Sequence, residues 1–147
     1  MIMRQLTRIE TGKPGDAKEW AVCAYMGGSR EKHDSSAYDK DSDCNCGELH
    51  ISVKSSAFSL MSGSLCEGRE DFDGIWKVYE RNTHSNRFAY VSHDFVMFLM
   101  DIHEFKKFVY SFCRVEHESK SHGGAAKIRC RKESAKMLKW LTDMVTA

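Results

Sequence analysis

ELHISVK, residues 48–54, is the stretch with the clearest strand pattern in this chain of 147 residues. Apolar and polar side chains alternate along it, which is typical of a strand with one buried face. The apolar set is predicted to face the core: Leu49, Ile51 and Val53. The polar set is predicted to line a cleft on the other side of the sheet: Glu48, His50, Ser52 and Lys54.

Helix and strand patterns interleave on both sides of this strand. Helices are predicted from Asp16 to Gly27, from Asp71 to about Asn82, after a capping pair at Asp101 and Glu104, and over residues 133–147. Further strands are predicted over residues 87–92, 95–100 and 123–131. The interleaving predicts a single domain, residues 1–147, with a mixed α/β (α+β) fold in which helices flank a central mixed β-sheet.

Composition and the first residues predict a cytoplasmic protein that does not enter a membrane. Hydrophobic residues make up 41% of the chain and charged residues 29%, which is typical of a globular protein. No apolar run reaches the roughly 18 residues of a membrane span, and the N-terminus lacks the apolar block of a signal peptide. In that compartment the six cysteines are expected to be reduced thiols.

The net charge of +1 conceals two oppositely charged parts. Residues 105–147 contain 10 Lys and Arg against 4 Asp and Glu, whereas residues 1–104 contain 12 basic and 17 acidic groups. The acidic part can supply carboxylates to a metal ion, and the basic part fits a polyanionic partner.

An acid, a hydroxyl and an amine lie close to one another around the ELHISVK strand. Ser52 and Lys54 are roughly 7 Å apart on one face by strand geometry, and Asp43 precedes Ser52 by enough chain for a turn between neighbouring strands. Two carboxylates can bind Mg²⁺, and a lysine can stabilise charge that develops on phosphate oxygens. We therefore predict Asp43, Ser52, Lys54 and Glu67 as catalytic residues, with Asp43, Glu67 and Glu48 as Mg²⁺ ligands.

This pattern resembles the active site of the PD-(D/E)XK nuclease superfamily. The resemblance lies in Asp43, the triplet Ser52-Val53-Lys54 and Glu67. Within the superfamily, the pattern is most similar to the restriction-endonuclease variant whose motif reads Ser-Val-Lys. In that variant serine occupies the usual acidic position and the displaced carboxylate comes from the following helix.

The resemblance spans roughly residues 16–92, and the order of predicted elements within that stretch also agrees with it. It implies Glu70 as a substitute for Glu67, and Glu19 on the first helix as a residue that supports the metal site. It further implies a restriction-endonuclease-like core and Mg²⁺-dependent hydrolysis of phosphodiester bonds, with DNA favoured over RNA as the substrate.

The basic end of the chain predicts contact with a nucleic-acid backbone. Lys127, Arg129 and Arg131 alternate along the predicted strand 123–131, and Lys136 follows on the next helix. Such a row of cations gives salt-dependent affinity for phosphates without reading the sequence of bases. A small nuclease that cuts both strands also predicts a homodimer, because one site attacks one strand.

Three alternatives stay open at this point. The first is a non-catalytic accessory protein of the phage or plasmid type that binds nucleic acid or a host nucleoprotein through the basic row. The second is an interaction module in which another element covers the face of Lys54. The third is a zinc site at Cys44, Cys46, His50 and Cys66, although structural zinc sites usually space their cysteine pair by two to four residues, so two reduced loop thiols are favoured.

Overall fold

A computed structural model of the chain describes residues 1–10, 16–30, 42–60, 68–117 and 126–146. Across these ranges the fold is mixed α/β, as predicted. The helices are α1 Ala17–Met26, α2 Phe72–Asn82, α3 Ile102–Phe112 and α4 Ala135–Thr146. The strands are β1 Ile2–Gln5, β2 Ser29–Arg30, β3 Cys44–Cys46, β4 Leu49–Lys54, β5 Ser59–Leu60, β6 Arg87–Val91, β7 Val96–Met100, β8 Cys113–His117 and β9 Ala126–Cys130.

The strands form two sheets. A six-stranded sheet has the order β1-β7-β6-β4-β3-β2, and a three-stranded sheet has the order β5-β9-β8. The strand ELHISVK is β4, which lies inside the larger sheet, antiparallel to β3 and parallel to β6. A parallel pair needs a crossover connection, and α2 lies in the chain between these two strands.

The larger sheet separates two hydrophobic cores. One, which we call the main core, packs the sheet against α2, α3, α4 and the smaller sheet, and the other, the α1 core, lies beneath α1. Alternation along β6 divides its side chains between them: Phe88 and Tyr90 enter the main core, whereas Ala89 and Val91 enter the α1 core. Both faces of the central strands are therefore covered.

Three of the predicted signals at helix ends are confirmed, whereas Asp16, which was predicted to cap α1, makes no side-chain capping hydrogen bond. Asp101 accepts from the N–H of Glu104 at 2.8 Å, and the Glu104 carboxylate accepts from the N–H of Asp101 at 3.0 Å, which completes the capping box. Gly27 ends α1 with a φ of 69°, a left-handed conformation that glycine adopts without strain. Asp71 caps α2 by accepting from the N–H of Gly74.

Strands β1, β2, β5 and β8 were absent from the sequence prediction. β1 has an edge position and mostly exposed side chains, so its alternation of polar and apolar residues is weak. β8 follows α3 directly, without a glycine or proline between them to signal the change. None of the helices within the described ranges is long and apolar enough to span a membrane.

Candidate functional site

The β3–β4 hairpin brings Asp43 next to Ser52. Cys44 lies opposite Ile51 in this hairpin, and Asp43 directly precedes this last pair of the register. The N–H of Asp43 donates to the carbonyl oxygen of Ile51 at 2.8 Å, a bond offset by one residue from the Cys44–Ile51 pair, so the regular ladder ends here. Asp43 therefore lies beside the segment of β4 that contains Ser52.

The carboxylate of Asp43 is buried and held by the backbone of β4. Asp43 is only 7% exposed, and its Oδ2 accepts a hydrogen bond from the N–H of Val53 at 2.7 Å. Val53 separates Ser52 from Lys54 along the strand. This bond orients the carboxylate against β4.

Ser52 lies deeper than the sequence predicted. It is fully buried, and it neighbours Phe88 of β6 in the parallel register. Its Oγ has no hydrogen-bond partner within the part of the chain that the structure describes. The prediction that this face of β4 lines an open cleft is therefore wrong at Ser52, because the main core covers the strand there.

Lys54 ends β4 and lies at the rim of the main core. It is half-buried, it neighbours Tyr90 in the register with β6, and its Nζ lies 5.9 Å from the centroid of the Phe58 ring. That distance is within the range in which an ammonium is attracted to an aromatic face. Lys54 also stands at the carboxyl end of two parallel strands, the edge at which open α/β sheets bind ligands.

A carboxylate that the sequence analysis did not single out, that of Glu133, reaches the same edge. Its Oε1 accepts from the hydroxyl of Tyr90 at 3.1 Å, and both its oxygens accept from the N–H of His93, at 3.0 and 3.2 Å. Its own N–H donates to the Oγ of Ser56 at 3.1 Å. Burial and the neighbouring Glu133 raise the pKa of Tyr90 well above its ordinary value. No local pattern connects Glu133 with β4 and β6, so only long-range packing reveals it.

Glu48 belongs to the opposite end of the strand. It lies exposed in the turn before β4, six residues from Lys54, which corresponds to roughly 20 Å along a strand. The prediction that Glu48 shares a metal ion with Asp43 is therefore corrected: the hairpin holds the two carboxylates at different ends.

None of the other predicted acidic residues is seen beside Asp43 in the part of the chain that the structure describes. Glu67 lies outside the described residues, and Glu70 is exposed just before the α2 cap. Glu19 lies on α1, whose buried residues belong to the core on the other face of the sheet. Among the ranges that the structure describes, no three His, Cys, Asp or Glu side chains are grouped to hold a metal ion.

The cysteines near β4 are strand residues, which corrects their assignment to a loop. Cys44 is fully buried in the α1 core, and the thiol of Cys46 donates to the carbonyl oxygen of Met26 at 2.9 Å. Nδ1 of His50 lies 2.6 Å from the Oδ1 of Asn45. Cys44, Cys46 and His50 therefore each contact different groups and do not converge on a common point. Cys66, the fourth residue of the suggested zinc site, lies outside the described ranges.

The smaller sheet carries a basic surface beside this edge. Arg114 of β8 lies directly opposite Arg129 of β9, and these two flank a surface cavity of about 300 Å³. We call the surrounding cations the arginine surface: Arg114, Lys127, Arg129, Arg131 and Lys132. Lys127 and Arg129 alternate with buried residues along β9, so their predicted common face is confirmed.

Contacts within the arginine surface leave it predominantly positive. The Nη1 of Arg129 donates to the Oγ of Ser59 at 2.9 Å, a neutral partner that positions the guanidinium without neutralising it. Arg114 lies 3.8 Å from the carboxylate of Glu116, a loose and exposed ion pair that contributes little. Arg131 follows the end of β9, and Lys136 is exposed at the start of α4.

Comparison with protein-family models, with curated proteins and with solved structures finds no match for this chain. Ser52 and Lys54 share one face of β4, Asp43 lies beside this strand at the end of the β3–β4 hairpin, and Glu133 reaches the same edge of the sheet.

Proposed function

We propose that this protein is a Mg²⁺-dependent nuclease that hydrolyses phosphodiester bonds, with DNA as the favoured substrate. The observation that carries the proposal is the position of Asp43 beside the carboxyl end of β4, the end that carries Ser52 and Lys54. An acid, a hydroxyl and an amine at a strand end form a set that can bind and activate a phosphate.

The order of elements supports the same proposal. The PD-(D/E)XK resemblance implies a helix, a strand region at the aspartate, the lysine strand, a second helix and further strands. In this chain α1, β3, β4, α2 and β6 follow in that order, and β3, β4 and β6 are neighbours in one sheet.

The donors present suit a hard cation such as Mg²⁺. Asp43 offers a buried carboxylate at the end of the β3–β4 hairpin. Oxygen donors of this kind are those that Mg²⁺ prefers, and one or two protein carboxylates are enough when water completes the shell. Asp43 and Glu67 would hold the ion, which when bound polarises phosphate oxygens.

Lys54 is the residue that contacts the phosphate in this proposal. During hydrolysis water attacks the phosphorus, and the bond to the leaving sugar oxygen breaks. The ammonium of Lys54 stabilises the negative charge that grows on the phosphate oxygens, and the ring of Phe58 helps to hold it in place. Ser52 was predicted to assist by donating a hydrogen bond, but the main core covers its hydroxyl, so the proposal assigns the phosphate contact to Lys54.

The arginine surface would hold the nucleic acid. Arg114 and Arg129 stand side by side across β8 and β9, so they can contact neighbouring phosphates of one backbone. Contacts of this type give affinity without base specificity. Cleavage of both strands of a duplex would require two copies of the chain, and we therefore extend the proposal to a homodimer.

The test is cleavage by the purified full chain. Duplex DNA, single-stranded DNA and RNA are each incubated with and without Mg²⁺, using the wild type, Asp43→Asn and Lys54→Ala. We expect Mg²⁺-dependent cleavage of DNA that falls by about a hundredfold or more in both variants. Lys139→Ala is the matched control, because Lys139 is exposed on α4 and pairs only with the nearby Asp143 among its described partners. Cleavage that persists in both site variants would refute the proposal.

A second candidate is a non-catalytic accessory protein that binds nucleic acid, or a host nucleoprotein, as phage- or plasmid-type factors do. The full burial of Ser52 and the backbone bond of Asp43 favour it, because both features also suit a purely structural role. It predicts salt-dependent binding without cleavage and no Mg²⁺ effect on the melting temperature. A Mg²⁺-induced rise in melting temperature that is lost in Asp43→Asn would contradict it.

A further inference from the structure

Two cysteines lie directly opposite each other in the smaller sheet. Cys113 of β8 pairs with Cys130 of β9 in the antiparallel register. The N–H of Cys130 points away from β8 and donates to the carbonyl oxygen of Phe58 at 2.8 Å, whereas the next residue, Arg131, bonds back to Phe112. Cys113 and Cys130 therefore form a non-hydrogen-bonded pair, the type in which Cα atoms are roughly 4.5 Å apart and side chains are closest.

That spacing suits a disulfide between the two strands. Cα separations between roughly 4.4 and 6.8 Å permit the bond without movement of the backbone. Both residues are free thiols in this structure. The register therefore places two reduced cysteines side by side.

The surroundings give the two thiols different roles. The Cys113 thiol, the N–H of Arg131 and the charge of Arg129 favour the thiolate of Cys130 and lower its pKa. The Cys130 thiol and burial raise the pKa of Cys113. The first attack is therefore assigned to Cys130, which two arginines flank in the chain.

Access favours a small oxidant. Cys130 is only 1% exposed, and its side chain belongs to the main core, on the face of β9 opposite to Arg129. Cys113 is half-buried. Burial of this kind hinders a bulky disulfide reagent, so the oxidant must be a molecule as small as hydrogen peroxide.

We propose that Cys113 and Cys130 are a reversible redox couple that hydrogen peroxide converts into a cross-strand disulfide. The Cys130 thiolate attacks one peroxide oxygen, the O–O bond breaks, and hydroxide leaves and takes up a proton to become water. The resulting sulfenic acid is then attacked by the Cys113 thiol, which forms the S–S bond and releases a second water. A dithiol reductant restores both thiols and becomes a cyclic disulfide. The proposal stands independently of the nuclease proposal.

The test is disulfide mapping of the folded, full-length protein. The reduced protein is treated with hydrogen peroxide, remaining thiols are alkylated, and peptides are analysed by mass spectrometry without reduction. We expect one dominant cross-link, between the peptides of Cys113 and Cys130, with the loss of two hydrogens in mass. Dithiothreitol is expected to restore both thiols.

Variants separate the two roles. In Cys113→Ser, Cys130 is expected to stop at the sulfenic acid, which a 1,3-dione probe captures. In Cys130→Ser, oxidation of Cys113 is expected to be roughly tenfold slower or more, because its thiol stays protonated. Cys46→Ser is the control, since a serine hydroxyl can also donate to Met26, and it is expected to leave the cross-link unchanged.

Other outcomes would overturn the inference. These are cross-links distributed over several cysteine pairs, a Cys113–Cys130 cross-link that forms only in urea, or oxidation of Cys113 that is as fast in Cys130→Ser as in the wild type. Thermal melts of each variant establish that the folded protein is the species tested.

Discussion

The Oδ2 of Asp43 lies 2.7 Å from the N–H of Val53, and this bond ties the proposed metal ligand to the strand that carries Ser52 and Lys54. The bond replaces a rung of the β3–β4 ladder at the point where the hairpin ends. The carboxylate of Asp43 therefore has a structural role and a proposed catalytic role, and different substitutions of Asp43 can distinguish the two.

Asp43→Ala should reduce both stability and activity. It leaves the N–H of Val53 without its acceptor, and a buried unsatisfied group of this kind costs about 1–3 kcal/mol. Asp43→Asn retains a side-chain oxygen that can accept the same bond, so it should unfold close to the wild type in urea and still lose Mg²⁺-dependent cleavage. An Asn variant that cleaves like the wild type would show that the charge of Asp43 is unnecessary.

Ser52→Ala should not destabilise the protein. Its hydroxyl is buried and has no described hydrogen-bond partner, so its removal eliminates an unfavourable group, and the melting temperature should stay the same or rise. Ser92 provides the contrast, because it is also buried but its Oγ accepts from the N–H of Val96 at 3.0 Å. Ser92→Ala should lose about 1 kcal/mol in urea denaturation. Equal losses in the two variants would contradict this distinction.

Replacement of Arg114 and Arg129 by Gln should weaken nucleic-acid binding and its dependence on salt. Each phosphate contact that is lost lowers the slope of log K against log salt by about 1, so the double variant should lose about 2. Fluorescence anisotropy with a labelled duplex at several salt concentrations measures the slope. Lys139→Gln on α4 serves as the charge-matched control for one substitution, and a slope that is unchanged in the double variant would place the substrate elsewhere.

The stability of the protein should depend on pH through the cap of α2. The hydrogen bond from the N–H of Gly74 lowers the pKa of Asp71 below its ordinary value of 3.8. A depressed folded pKa means that the contribution of the carboxylate is present above pH 3.8 and is lost as the pH falls through the lower folded value. Asp71→Asn retains the cap but does not titrate, so urea denaturation from pH 2 to 7 should show a shallower acid loss. An identical pH profile would assign that loss to other groups.

Much of the fold could be predicted because its signals are local. The alternation in β4 identified Ile51 as a core residue, and the capping pair at Asp101 and Glu104 identified the start of α3. Caps and alternation depend on neighbours within a few residues, so they are legible in a single sequence. The strands that lack such local patterns, β1 and β8, were missed.

The candidate site was predicted only in part. The neighbourhood of Ser52 and Lys54 follows from strand geometry, and that of Asp43 required only a short hairpin. The separation of Glu48 from that site and the arrival of Glu133 at the strand edge depend on register and on contacts across many residues. Such contacts leave no periodic trace in the chain.

The sequence by itself determined which side chains of β4 share a face, because successive residues of a strand point to opposite sides. It also determined the excess of basic residues after residue 104, several of which form the arginine surface. Only the tertiary structure decided that the main core covers Ser52 and that Cys113 meets Cys130. Burial and cross-strand pairing arise when distant segments pack together, and the free energy of that packing depends on the whole chain rather than on any short stretch of it.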